Sequence, residues 1–238
     1  MVGTVVNAVA VLAGGTAGVL LHRRFPERMR ETVMAAIGLA TLAIGAQMAL
    51  QTQDVVLVIA SLVLGAIIGE GVHVEEGIEA LGAWAERRVG RAEGAGPVAA
   101  AFVTGSLLFC VGPMTVLGAI QDGLGQPPVL LYTKALLDGI SSVAIGAAMG
   151  VGVLLAAGTV LIYQGALTLA AGAVQTLMTP AMTRELTATG GVLIIGLGLG
   201  ILRVGRVRVG SLLPALPVVV VLVAIAPYLR AALGLAAR

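Results

Sequence analysis

The sequence predicts an all-α, polytopic transmembrane helix bundle, and three observations carry that prediction. Charged residues make up 11% of the 238 and apolar residues 58%, whereas a soluble globular chain averages roughly 25% charged. So little charge could not cover the surface of a soluble domain of this length. The apolar residues also gather into runs of about twenty, the length a helix needs to cross a bilayer. A transmembrane β-barrel would instead show segments of about ten residues with alternating polarity. Glycine is the third signal, at 34 residues. It costs stability inside soluble helices, but in lipid small residues let helix backbones approach one another. Aromatic residues, at 3%, are too few to mark the interfaces.

Eight spans are expected. The first runs from Val2 to Leu21, before His22, Arg23 and Arg24. No basic residue precedes it, an order that suits a retained span better than a cleaved signal. Thr32 to Leu50 is the second. A polar break at Asp54 leads to the third, Val55 to Gly69. The fourth runs from Pro97 to Ile120 and ends at Gln121, Asp122 and a Gly/Pro-rich turn. Leu130 to Thr176 is too long for one helix and divides near Gly150 and Gly152 into the fifth and sixth. Without that division there would be seven. Leu186 to Leu202 is the seventh, and Leu212 to Tyr228 the eighth. Pro214 and Pro217 fall in the first turns of that last span, where a missing amide costs least.

The charge distribution supports the even number. With the Arg23 to Glu31 loop placed inside, eight spans also bring the Glu70 to Gly96 linker and the Arg203 to Arg208 loop inside. Ten of the 14 Lys and Arg residues then lie on that face. This is the positive-inside pattern, and it puts both termini outside. In the linker, Val74, Ile78, Leu81 and Ala85 recur at helical spacing among Glu75, Glu76, Glu79, Glu86 and Arg87. Residues 73–90 therefore read as an acidic amphipathic helix lying on the cytoplasmic face. It would serve as a connector or as a partner surface.

One sequence echo bears on organisation. Thr32-Val-Met-Ala-Ala-Ile-Gly38 with Ala43-Ile-Gly-Ala-Gln-Met48 resembles Thr133-Lys-Ala-Leu-Leu-Asp-Gly139 with Ala144-Ile-Gly-Ala-Ala-Met149. A three-span unit used twice would explain it, as residues 2–70 and 97–176, with a helical hairpin over 184–230 added. Three is odd, so the second copy would be inverted, a common plan in secondary transporters. Glycine- and alanine-rich sequence also produces such matches by chance. The whole of 1–238 reads as one transmembrane domain.

Polar and ionisable groups inside a membrane are expensive and mark function by default. Lys134 and Asp138 are four apart in the fifth span, on one helix face, with Ser141 and Ser142 one turn on. In the fourth span Gly112 and Pro113 interrupt the apolar run. Proline removes a donor and clashes with the preceding turn, so a kink or break is expected, with freed carbonyls near Ser106, Cys110 and Thr115. Asn7, Gln47 and Gln164 are amides in other spans. Each must find a partner if buried, as helix–helix glue or along a solute path. Glu185 opens the seventh span, where a helix dipole favours it, and Thr187 and Thr189 extend a polar track inward.

No cofactor, metal site or enzyme motif is expected. One cysteine, and two histidines in or beside separate loops, make neither a disulfide framework nor a ligand set. Scattered basic residues leave no nucleic-acid footprint. Asp138 would carry a coupling proton or bind a cation, or simply stay with a Lys134 that snorkels outward.

The run through Gly112-Pro113-Met114 to Asp122-Gly-Leu, and Glu185 followed by Thr-Ala-Thr-Gly-Gly-Val-Leu-Ile-Ile-Gly-Leu, resemble the bacterial DUF554 family of inner-membrane proteins. The resemblance extends from Gly3-Thr-Val-Val-Asn7 to Leu213-Pro-Ala-Leu-Pro217. It implies a multi-pass protein of the bacterial plasma membrane, of a kind sometimes labelled a transporter, and brings no substrate and no catalytic residues. The expected function is a small secondary transporter or channel-like permease for a small solute or cation. The alternative is a non-transporting scaffold or regulatory protein. The bilayer is the certain partner, and small-residue faces would suit a homodimer as well as packing within one chain.

Overall fold

The structure is a computed structural model, and it describes residues 1–22, 27–89, 95–111, 113–205 and 207–232. Among these the chain is helical throughout, with no strand: α1 (Val2–His22), α2 (Glu27–Ala49), α3 (Val55–Gly71), α4 (Val74–Val89), α5 (Ala95–Cys110), α6 (Pro113–Gly123), α7 (Val129–Met149), α8 (Gly152–Leu169), α9 (Ala171–Leu177), α10 (Pro180–Ile201), α11 (Val209–Leu212) and α12 (Ala215–Ala232). Five stretches are long and apolar enough to cross a membrane. Two bent pairs raise the number to seven if each is one span: α3 with the start of α4, at 60°, and α5 with α6, at 62°. Met34–Ala49 of α2 is a shorter apolar helix. The eight expected spans are thus five to seven here: the fourth is divided between α5 and α6, the sixth runs on into α9, and Met34–Ala49 of the second is short.

The long apolar stretch after Leu130 does divide where expected. Gly150 has φ +82° and ψ −150°, a conformation essentially reserved for glycine, and it turns the chain from α7 into α8. Large apolar side chains remain on the outside of the bundle. Leu136, Ile140 and Ile162 are 65%, 63% and 75% exposed, and α3 buries only a seam of Val58, Ser61, Gly65 and Gly69. In water such a surface would be an aggregation site; in lipid it is the solvent-facing side.

Two helix seams organise the interior. α1 lies along α7, and α2 along α10. A Cβ on Gly14 or Gly18 of α1 would collide with backbone of α7 at Gly139 and Val143, and one on Gly146 would meet Gly15 O at 2.7 Å. Contacts advance together along the two chains, from Gly14 with Gly139 to Gly18 with Ala147, so these helices are parallel. In the other seam a Cβ on Gly45 would meet Gly191 O at 2.8 Å, and Gly38 lies against Leu202. That pair is antiparallel. The two halves of the sequence echo therefore do the same packing work: Gly38 and Gly45 face α10, while Gly139 and Gly146 face α1. Their surroundings break the expected symmetry. An inverted pair of three-helix units would set α2 on α5 as α7 sits on α1, but the glycines of α2 meet those of α10 instead.

Around the first seam an apolar cluster of Val11, Phe109, Ile145, Met149 and Val153 joins α1, α5, α7 and α8. A second, with Val103, Leu107, Leu193 and Val209, joins α5 to α10 and α11. α4 leaves the line of α3 at His73, whose φ is +56°. It packs on α5 and α11, held by Arg208, which donates to Glu70 Oε2 at 2.9 Å and Glu76 Oε1 at 2.6 Å. Glu75 Oε2 accepts from the Ser211 amide at 3.2 Å.

Candidate functional site

The first seam carries a buried polar network. Lys134 and Asp138 lie one turn apart on the face of α7 toward α1, and they pair directly, at 5% and 7% exposure. Lys134 does not snorkel outward. Asn7 of α1, with no exposed surface, donates from Nδ2 both to Asp138 Oδ2 at 3.1 Å and to Gln164 Oε1 of α8 at 3.0 Å. Gln164 Nε2 donates to Thr4 Oγ1 at 3.2 Å, and Thr4 Oγ1 lies 2.9 Å from Thr168 Oγ1. Asp122, from the end of α6, accepts from the Thr4 amide at 3.1 Å and lies 2.9 Å from the amino group of Met1. Four helices thus share one chain of hydrogen bonds, and the Asn7 Oδ1 atom within it has no protein partner.

Helical spacing explains the assembly. Thr4 and Asn7 are three apart, Gln164 and Thr168 four apart, and Lys134 and Asp138 four apart, so each pair lies on one face. Glycine brings those faces close enough for short side chains to touch. Thr4, Asp122 and Thr168 escape a reading of the sequence by composition. Asp122 sits beside a turn like any loop aspartate, although the spacing of Thr4 from Asn7 and of Thr168 from Gln164 is a signal that was there to find.

The other expected residues separate into several places. Ser142 is buried and donates to Gly139 O at 2.8 Å, while Ser141 is half-buried. Ser106 donates to Thr159 Oγ1 at 3.1 Å, away from the network. Gln47 is exposed: Gly45 faces α10, and two residues on, about 200° around the helix, the side chain points out of the bundle. Gln47 therefore leaves the solute-path set. Gly112 lies outside the described residues. Pro113 begins α6, and its missing amide would have served the carbonyl of Phe109; Thr115 Oγ1 donates there instead, at 3.2 Å. That carbonyl is occupied by the protein rather than freed for an ion.

Glu185 is also placed differently from expectation. Thr179 caps α10, accepting from the Met182 amide at 3.2 Å. Glu185 is six residues in, past the first turn where the dipole acts, and only 2% exposed. Its carboxylate accepts from the Thr52 hydroxyl and, at 3.0 Å, from the Gln53 amide, with Arg184 3.5 Å away. Glu185 thus ties the α2–α3 turn to α10. Thr187 donates to Thr183 O at 2.8 Å, and the fully buried Thr189 hydroxyl has no partner.

A cavity of about 650 Å³ opens at the end of the bundle that holds α4. Its walls come from the starts of α2 and α4, the first half of α5, the last residues of α7, and the end of α10 with the following loop. Along α7 the order is Lys134 and Asp138, then Ile145 in the apolar cluster, then Ala148 and Met149 in the cavity wall. At a helical rise of about 1.5 Å per residue, roughly 15 Å separates Asp138 from that wall.

Residues 2–224 match the model of a family described as "Protein of unknown function (DUF554)". The chain is 32% identical over 220 residues to "Uncharacterized protein YqgA" of Escherichia coli K12, covering 91% of this chain and 93% of the relative. It is 30% identical over 227 residues to "Uncharacterized membrane protein YdfK" of Bacillus subtilis 168, covering 92% and 96%. No solved structure matches.

Proposed function

This chain belongs to the DUF554 family, and on that premise we propose that it is a small secondary transporter or channel-like permease, not an enzyme, in the bacterial inner membrane with both termini outside. The observation that carries the reading is the Lys134–Asp138 pair, buried among the amides of Asn7 and Gln164 where four helices meet. A charged side chain at the centre of a bilayer costs about 2.5–3.5 kcal/mol even on insertion scales. A buried ion pair is often no more stable than apolar residues of the same volume. A bundle built only for shape has no need of one. Asp138 can exchange Lys134 for a proton or a small cation, and the cavity at the α4 end gives the approach from one face. The apolar layer of Phe109, Ile145 and Met149 must part for a solute to pass, as alternation between two accesses requires.

The test is flux in reconstituted vesicles under an imposed proton or sodium gradient. Asp138→Asn should abolish ion-coupled flux while the protein keeps its helical content. Flux equal to that of the unaltered protein would sink the assignment. A scaffold or regulatory protein is the second reading, favoured by the close packing of the network and by the acidic face of α4. It predicts no gradient-driven flux from the unaltered protein.

A further inference from the structure

The cavity at the α4 end has a chemical character of its own. Most of its wall is apolar, with Met34, Val103, Met149 and Leu197 among the lining residues. Among the described residues its charged lining is three acids, Glu31 on α2 and Glu75 and Glu79 on α4, against one base, Arg203. Among the described residues, Glu31, Glu79 and Arg203 have no ion-pair partner, while Arg208 nearby is taken up by Glu70 and Glu76. One lining residue is polar and buried: Thr104, 2% exposed, whose hydroxyl has no protein partner. A buried hydroxyl left unpaired is unfavourable, so its retention in a cavity wall points to a ligand group or a water that completes it. Nor are the acids gathered as a metal cage: among the described residues no three His, Cys, Asp or Glu converge for one. Acids spaced around an apolar chamber suit a weakly hydrated monocation with an apolar body.

We propose that this cavity binds a small organic cation, an ammonium group held by Glu31 and Glu79 at opposite walls, an apolar body along Met34, Val103 and Leu197, and a hydrogen-bonding group that reaches Thr104. The proposal rests on the transporter reading only in calling this ligand the transported solute; the binding site stands on its own.

The test is calorimetric titration of the full chain in neutral phosphatidylcholine nanodiscs. Butyl-, pentyl- and hexyltrimethylammonium should bind with affinity rising about three- to fourfold per added methylene, and hexanesulfonate should not bind. Glu31→Gln/Glu79→Gln should weaken hexyltrimethylammonium about tenfold and remove most of its salt dependence. If the double variant fails to fold, Glu79→Gln, on an exposed helix face, should still show a threefold loss. A 6-hydroxyhexyl probe should bind more tightly than its hexyl parent, and Thr104→Val should erase that difference. Sulfonate binding as strong as the cation's, or unchanged cation affinity in a folded Glu31→Gln/Glu79→Gln variant, would overturn the proposal. Binding to the cavity and flux across the membrane are read separately, on the unaltered protein. Binding without flux therefore defeats the transport reading alone, and flux without binding defeats this site alone.

Discussion

The α1–α7 and α2–α10 seams are built by the same device and carry different cargo. In each, glycine lets two backbones touch, and in each a carboxylate lies buried close by. Asp138 is neutralised by a lysine on its own helix and hydrogen-bonded across α1 and α8. Glu185 is tied mainly to the hydroxyl and amide of one turn, Thr52 and Gln53. The first joins charges and amides of three helices; the second latches a loop to a helix. Close packing alone therefore does not make a site. What distinguishes them is the depth of the cationic partner: Lys134 is buried with Asp138, whereas Arg184 beside Glu185 reaches the surface.

The largest effect should come from filling a seam. Gly18→Leu puts a side chain where α7 backbone already stands, and Gly45→Leu does the same against α10. Overpacking of ordinary cores costs about 1–3 kcal/mol, and contact with backbone, which cannot change rotamer, should reach or exceed the upper end. Yield of folded protein and thermal unfolding measure it. If Gly45→Leu is harmless while Gly18→Leu is not, the two seams are not structural equals.

Next is the pair itself. Lys134→Met leaves Asp138 buried without its counter-charge and should destabilise by about 3–5 kcal/mol. Lys134→Met/Asp138→Leu should recover most of that, because the desolvation of both charges goes with them. A double variant no more stable than the single one would mean the network, rather than the pair, holds α1 to α7. Glu185→Gln should cost less, about 1.5–3 kcal/mol for lost hydrogen bonds to a charged acceptor. Its signature is local: faster amide exchange at Gln53 with the first seam unaffected.

The smallest effect is at the membrane surface. Hydrogen bonding to its own backbone amide, with Arg208 beside it, holds the Glu76 carboxyl below its ordinary value of 4.5. A carboxyl depressed in the folded state contributes stability above its unfolded value and loses it as pH falls through the folded one. The clamp of α4 should therefore hold at neutral pH and loosen only below about pH 4. Proteolysis of α4 across that range should show a small acid step, and Arg208→Gln should flatten it.

Several of these features were legible in the residues. The apolar helix bundle, the division at Gly150 and the helix at α4 follow from run length, glycine and charge periodicity. So does the Lys134–Asp138 pair, since four-residue spacing places both on one helix face whatever surrounds them. Gln47 and Glu185 could not be placed in this way. Gln47 lies alone among small and apolar residues and Glu185 in a polar helix start, and which way each points depends on which neighbouring helix the glycines admit.

That the chain lives in lipid as apolar helices can be read from the residues alone, because hydrophobicity and backbone hydrogen bonding act over about twenty neighbouring residues. That α7 lies on α1 while its echo in α2 lies on α10 is a matter of packing, since helix partners are chosen by contacts far apart in the chain. That choice joins Asn7, Gln164, Thr4 and Asp122 to the pair on α7. It also leaves the open cavity about 15 Å away, between helices with no sequence signal to connect them.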